Sequence, residues 1–405
     1  MRYSATNNAH KSHRLIMTLA FLIVVSLGVA GYRFFHTSKT VNQANVTSAP
    51  TAANQPTNGP TAVIGRYLLN GTVTWARAVE QEAHGDFGQP FSMLNTFNRD
   101  QYDAWSTDFE CPITNNVVPY QTQISRLVFN CRPEFLPAAV KYFTIFDLAN
   151  NHSGDQGGEA GLEETRANLE KAGVQYFGTF DPSDSQNVCE LLSLPVRIQM
   201  PDNTEQKSAL PVAFCGWHYF NRPDVRPGEL EVMDKYTKFM PVFAFAEMGQ
   251  EYHAQALPPQ VAIAHSIVDR NPEFLIANNP HWVQNTEVYK GKLIVYSTGN
   301  FIFDQLDSET NRSDSIDVTM TVPYDDNVAK WIALAPECKK FHDDCLAKAQ
   351  QEGLSKIKLQ LKYGVVAGQN GYKVITHKAD APTQKSVEER LNWAATLQAL
   401  GQTSP

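Results

Sequence analysis

The chain has 405 residues, a formal net charge of −8, 42% hydrophobic and 19% charged residues. That apolar content supports a sizeable packed core and excludes a wholly disordered chain. The acidic balance, with no concentrated Lys/Arg run, excludes a nucleic-acid partner, because phosphate binding needs dense positive charge.

Residues 1–14 are polar and carry Arg2, Lys11 and Arg14. Residues 15–32 follow without a charge, just long enough for a bilayer at the low end of the roughly 17–25 residues needed. The basic flank in front predicts an N-terminus in the cytoplasm and an exported main domain, periplasmic or extracellular. Gly28-Val29-Ala30 also offers the small-x-small pattern of a cleaved signal peptide. The apolar run outlasts a typical signal core and Arg33 follows closely, so a single-pass, uncleaved anchor is expected. Residues 33–62, rich in Thr, Asn, Ala, Pro and Gln, bury too little surface to offset their ordering entropy and predict a flexible tether.

About 340 residues remain from position 63, within reach of one large α/β unit. Residues 63–385 are expected to form that domain, and 386–405 a C-terminal helix and tail. The six cysteines include no C-x-x-C pair, and an even count in an exported domain predicts disulfides. Sequence order makes Cys111–Cys131, Cys189–Cys215 and Cys338–Cys345 the simplest pairing, although order does not fix connectivity.

Strands are predicted at 66–77, at 103–114 closing on Asp108-Phe109-Glu110, and at 143–149. The last turns abruptly polar at Asn150, Asn151 and His152. It passes through Gly154, Gly157 and Gly158 into a helix carrying Leu162, Thr165, Leu169 and Ala172 at helical spacing. Further strands are read at 174–178, 210–217, 241–246, 274–277 and 293–296, with a helix at 259–269. Beyond residue 309 come strand-like pieces at 316–322 and 357–363 and a helix at 386–400. Strands alternating with helices and ending in Asn, His, Glu and Gly predict a layered α/β domain with its site at the strand ends.

Four of these loop entries occur together: D-F-E-C-P-I-T, L-A-N-N-H, N-N-P-H-W-V-Q and Y-S-T-G-N-F-I-F-D. In this order the chain resembles the bacterial capsule synthesis CapA family, the poly-γ-glutamate capsule proteins. The resemblance covers most of residues 66–304. It implies a calcineurin-like metallophosphoesterase fold, a layered α-β-β-α sandwich, here preceded by one N-terminal transmembrane helix.

The resemblance also implies site residues. Gly71 is kept, but Thr72 stands where an aspartate ligand is expected. Asp108-Phe109-Glu110-Cys111-Pro112-Ile113 replaces N-L-E-G-P-L and keeps Glu110 as a bridging carboxylate. Asn151 and His152 match N-N-H, Asn151 as a metal ligand and His152 as a catalytic general acid or phosphate contact. Glu247 stands where H-W-G-x-E-Y has its histidine. Asn279 replaces one histidine of G-x-H-P-H, and His281 keeps the other. The implied metal set is therefore Glu110, Asn151, Glu247, Asn279 and His281, depleted relative to a dinuclear site. Its oxygen-rich character suits one divalent cation, Mn²⁺, Mg²⁺, Ca²⁺ or Zn²⁺. The alternative is an apo pocket that kept its fold. His84, His218, His253 and His265 are read as surface or packing residues.

Two functions follow. One is a membrane-anchored envelope protein acting in capsule polymer synthesis or export, with that polymer, the cytoplasmic membrane and other capsule proteins as partners. The other is an exported metal-dependent hydrolase of a phosphoester, or of an amide or ester in a polymer. A binding module without metal is the third reading.

Overall fold

A computed structural model of the chain describes residues 59–181, 183, 187–338 and 342–403. The expected cytoplasmic terminus, the anchor at 15–32 and most of the tether lie outside the described residues. Among the described residues no helix is long and apolar enough to cross a membrane.

The strands, in chain order, are β1 (Ala62–Val73), β2 (Ala104–Phe109), β3 (Ile145–Asp147), β4 (Gln175–Phe177), β5 (Cys189–Gln199), β6 (Glu205–His218) and β7 (Val242–Glu247). They continue as β8 (Phe274–Asn278), β9 (Thr286–Tyr289), β10 (Lys292–Val295), β11 (Asn300–Ile302), β12 (Arg312–Pro323), β13 (Gln360–Asn370) and β14 (Thr376–Lys378). All join one mixed sheet that forks at β1. The first residues of β1 pair with β5, whereas its second half pairs in parallel with β2. One branch then runs β2-β3-β4, all parallel. The other runs β5-β6-β7-β8-β10-β9, with β6, β7, β8 and β10 parallel.

Strand alternation explains how the branches pack. Leu69, Ala104 and Ile145 point into one core, shared with Phe214, Phe243 and Phe245 of the other branch. Phe177 at the end of β4 bridges them, its ring 5.3 Å from Phe214 and 4.9 Å from Phe245. Leu68, Trp105 and Phe146 point the opposite way into a second, aromatic-rich core. Helix Glu159–Ala172 covers that side, with Leu162 and Leu169 buried and Gly173 as its left-handed C-cap.

The predicted strands and helices at 143–296 are found with small shifts, and the three cysteine pairs are those of simple sequence order. Three differences stand out. Strand β5 is unpredicted: it pairs with β6 over its whole length, and Pro195 is tolerated because its other edge is open there. Helices Asp326–Cys338 and His342–Gln351 occupy a stretch read without helix, joined by Cys338–Cys345. The expected helix at 386–400 starts earlier, at Ala381 after its N-cap Asp380, and breaks at Asn392 in the left-handed region before Trp393–Ala399.

Candidate functional site

The inner faces that are apolar in mid-strand turn acidic at the strand ends. Ile145 and Asp147 share a face of β3, and Asp147 is in register with Asp108 of β2, itself in register with Thr72 of β1. The same position of β1 also pairs with Asn300 of β11. On the other branch His218, Glu247 and Asn278 are in register at the ends of β6, β7 and β8. Residues remote in the chain thus line the mouth between the two branches.

Asp108 is buried and accepts hydrogen bonds from Thr72 Oγ1 at 2.7 Å and from Asn150 Nδ2 at 3.1 Å. Burial, and then the neighbouring Glu110, push its carboxyl up to about 7 despite those donors. Asp147 accepts from the Ala149 amide at 2.9 Å, and burial beside Asp108 holds it well above the ordinary carboxylate range. Glu247 is 3% exposed, and among the described residues its Oε2 has no hydrogen-bond partner. Burial raises it well above the ordinary range, reinforced by Asp108, Glu110, Asp147 and Glu251.

Glu110 is buried just beyond β2, its amide donating to the Val73 carbonyl at 2.9 Å. The next residue, Cys111, is bonded to Cys131, which ties the carboxylate to the segment carrying Phe129. His152 stacks on Phe129, ring centroids 3.8 Å apart. Its Nδ1–H donates to Asp155 Oδ2 at 2.7 Å, leaving Nε2 facing Glu110 at 3.8 Å. Asp155 also accepts from the Phe129 amide at 2.7 Å, so one carboxylate holds both rings.

His281 sits at φ 59° with Nδ1–H donating to Asn300 Oδ1 at 2.9 Å and Nε2 3.6 Å from Glu251. Burial pulls its pKa down, but the neighbouring Glu251 and Glu110 carboxylates outweigh it, so the net shift is upward. Asn279, at φ 100°, donates from Nδ2 to the Gly249 carbonyl at 2.7 Å. Asn151 Oδ1 is buried and has no partner among the described residues.

The structure therefore brings Glu110, His152, His281 and Glu247 into one neighbourhood. Asn151 keeps a buried carbonyl oxygen that has no partner among the described residues, and Asn279 spends its amide nitrogen on the backbone. Sequence reasoning gave no role to Asp108, Asp147, Glu251 or Asn300. The available signal was a carboxylate closing an apolar strand on its inward alternation, as in Ile145-Phe146-Asp147. His218, read as a surface or packing residue, ends β6 in register with Glu247, its Nε2 buried and, among the described residues, without a hydrogen-bond partner. His265 is a packing residue: it stacks on Tyr289 and meets Glu287 at 3.0 Å.

Buried carboxylates with spare oxygens, an amide oxygen and imidazoles suit one hard or borderline divalent cation, which would take up the charge that burial now suppresses. Among the described residues no three His, Cys, Asp or Glu side chains already stand close enough to share an ion. The fit is one of donor chemistry, not of a preformed cage.

Residues 66–305 match the family described as bacterial capsule synthesis protein PGA_cap. The capsule biosynthesis protein CapA of Bacillus anthracis is 29% identical over 211 residues, 50% of this chain and 51% of that protein. The PGA biosynthesis protein CapA of Bacillus subtilis (strain 168) is 25% identical over 184 residues, 40% of this chain and 43% of that protein. The chain thus spans about half the length of the curated relatives it matches. Among solved structures, the calcineurin-like phosphoesterase YfkN from Bacillus subtilis is 12% identical, with a TM-score of 0.34 over 71% of this chain and 99% of that one. TT1561 of Thermus thermophilus is 11% identical, with a TM-score of 0.32 over 62% of this chain and 93% of that one.

Proposed function

The chain belongs to the bacterial capsule synthesis protein PGA_cap family, and from that premise we propose that it serves in the synthesis or export of an envelope polymer of the poly-γ-glutamate type. On this reading the domain is a calcineurin-like metallophosphoesterase sandwich standing outside the cytoplasm. Residues 33–62 tether it to a single-pass anchor at 15–32 whose N-terminus stays in the cytoplasm. Three disulfides support an oxidising compartment. The polymer, the cytoplasmic membrane and other capsule proteins are its proposed partners.

The cleft is proposed to work with one divalent cation, held by Glu110, Asn151, Glu247, Asn279 and His281. The observation that carries this is Glu247, a buried carboxyl with an unpartnered oxygen among other buried carboxyls. A chain of net charge −8 repels an anionic polymer overall. When bound, a divalent cation supplies the positive charge that holds an anionic group and acidifies a bound water. Poly-γ-glutamate coupled to a solid support tests the proposal. The full-length chain is expected to be retained with Mn²⁺ or Mg²⁺ and released by chelator; retention indifferent to chelator contradicts the cation's part.

A second reading, an exported hydrolase of a phosphoester or of a polymer amide or ester, is favoured by His152. Asp155 and Phe129 fix its ring with Nδ1–H spent, which leaves Nε2 as the atom that takes or gives a proton at the cleft. Turnover lost in His152→Gln, with cation binding kept, would select this reading.

A further inference from the structure

Arg77 opens the helix Arg77–Ala83 just beyond the end of β1, at φ 52° in the left-handed region that side chains other than glycine rarely occupy. Its guanidinium lies over two phenyl rings, 4.5 Å from the Phe129 centroid and 4.8 Å from that of Phe303. Each ring also meets a cleft histidine: Phe129 stacks on His152 at 3.8 Å, and Phe303 lies 5.1 Å from His281. The order His152, Phe129, Arg77, Phe303, His281 therefore sets a fixed positive charge one ring away from each imidazole. One imidazole comes from each branch of the sheet.

A guanidinium carries five N–H donors. Among the described residues the Arg77 side chain donates only through Nη2, to Asp304 Oδ1. The other Asp304 oxygen accepts from the Ala78 amide at 3.2 Å, so this carboxylate is pinned and holds the guanidinium from one side. Arg77 Nε is buried and has no hydrogen-bond partner among the described residues, and the side chain as a whole is 11% exposed. An unspent donor at that depth is costly unless a ligand or water meets it. Arg66, in the first half of β1, shows what a purely structural arginine looks like here. It too lies over an aromatic ring, that of Tyr102, but its Nε and Nη2 donate to Asp317 at 3.1 and 2.6 Å and its Nη1 to Gln101 at 3.1 Å. Fastening a helix to a strand end explains Nη2 of Arg77 and leaves the rest of the fork unexplained.

We propose that Arg77 is an oxyanion-binding residue of the cleft, taking a carboxylate or phosphoryl group of the ligand through its unspent N–H groups while Asp304 and the two phenyl rings hold the guanidinium still. The subsite rests on the ligand classes given above, an anionic polymer or a phosphoester, and gives the cleft a positive charge that needs no cation.

The test is calorimetric titration of the full-length chain, with Mg²⁺ present, with tri-γ-glutamate in one arm and inorganic phosphate in the other. Binding of at least one probe is expected; tighter tri-γ-glutamate selects the polymer as the source of the oxyanion, and tighter phosphate selects the phosphoester. Arg77→Met should weaken that binding at least about ten-fold, the loss of one charge-assisted hydrogen bond. Arg66→Met, which changes the net charge equally, should leave it unchanged, with thermal melting confirming both folds. Should Arg77→Met fail to fold, Arg77→Lys keeps the charge beside Asp304 but lacks the planar fork, and it should also weaken binding. Affinity unchanged in a folded Arg77 variant, or lost equally in Arg66→Met, would overturn the subsite and leave the ligand reading standing. A parent chain that binds neither probe would overturn both.

Discussion

Gly216 lacks a side chain where Asp147 occupies the space one would fill. A Cβ there would meet Asp147 Oδ1 at 2.6 Å and Ala149 Cβ at 3.1 Å, and the carboxylate is pinned by the Ala149 amide. Gly216→Ala is therefore expected to cost about 1–3 kcal/mol, the usual range for overpacking, and urea unfolding reads it. A stability change near zero would mean that Asp147 moves freely. Asp314 makes a different statement. It is buried in β12, neither carboxyl oxygen has a hydrogen-bond partner among the described residues, and burial holds it well above the ordinary value of 3.8. A group raised in this way binds more protons folded than unfolded, so its stability contribution is full below 3.8 and is lost as pH rises toward the folded pKa. Asp314→Asn should gain melting temperature over the parent as pH goes from about 4 to about 7. A parallel pH dependence in both proteins would contradict the assignment. At this scale the sequence was partly legible. Glu110, His152 and His281 announced themselves through their motifs. Asp108 and His218 did not, because what defines them is the register partner, Thr72 in one case and Glu247 in the other. Register across 36 or 29 residues of chain is a property of the assembled sheet.

At the scale of elements, the bridge Cys111–Cys131 aligns the site as well as closing a loop. It follows Glu110 directly and holds the segment whose Phe129 backs His152. Thr74 Oγ1 donates to Cys111 Sγ at 3.4 Å and the Trp75 amide to Cys131 Sγ at 3.4 Å, so the bridge is also anchored to the end of β1. The double variant Cys111→Ser/Cys131→Ser should lose about 3 kcal/mol, as expected for a loop of this size. Thermal unfolding with and without reductant reads that loss, and a melting point indifferent to both would contradict it. Gly71 is a second alignment device: a Cβ there would lie 2.2 Å from the Gly299 carbonyl, whose oxygen accepts from the Thr72 amide at 3.0 Å. The run from β3 through helix Glu159–Ala172 was readable because a mostly apolar strand turns abruptly polar, passes a glycine-rich turn and resumes at helical spacing. Strand β5 was not, since Pro195 interrupts an otherwise alternating pattern and only the fork at β1 leaves its edge free there. The helix break at Asn392 likewise depends on a left-handed residue that helical spacing alone does not reveal.

At the scale of the molecule, the fork at β1 is what makes a cleft. Two parallel branches present their strand ends to each other, and each contributes carboxyls that its own mid-strand residues would not suggest. A chain of net charge −8 that gathers buried carboxyls at one mouth is poorly suited to an anionic polymer without added positive charge. One divalent cation reconciles the acidic cleft with an anionic ligand. The most direct test is the metal content of the full-length chain after loading with Mn²⁺, Mg²⁺, Ca²⁺ or Zn²⁺ and removal of excess, alongside Glu110→Ala and His281→Ala. The account predicts close to one ion per chain in the parent and loss in both variants with the fold intact. A folded parent that retains none of the four would contradict it, leaving a polymer-binding scaffold that works without metal.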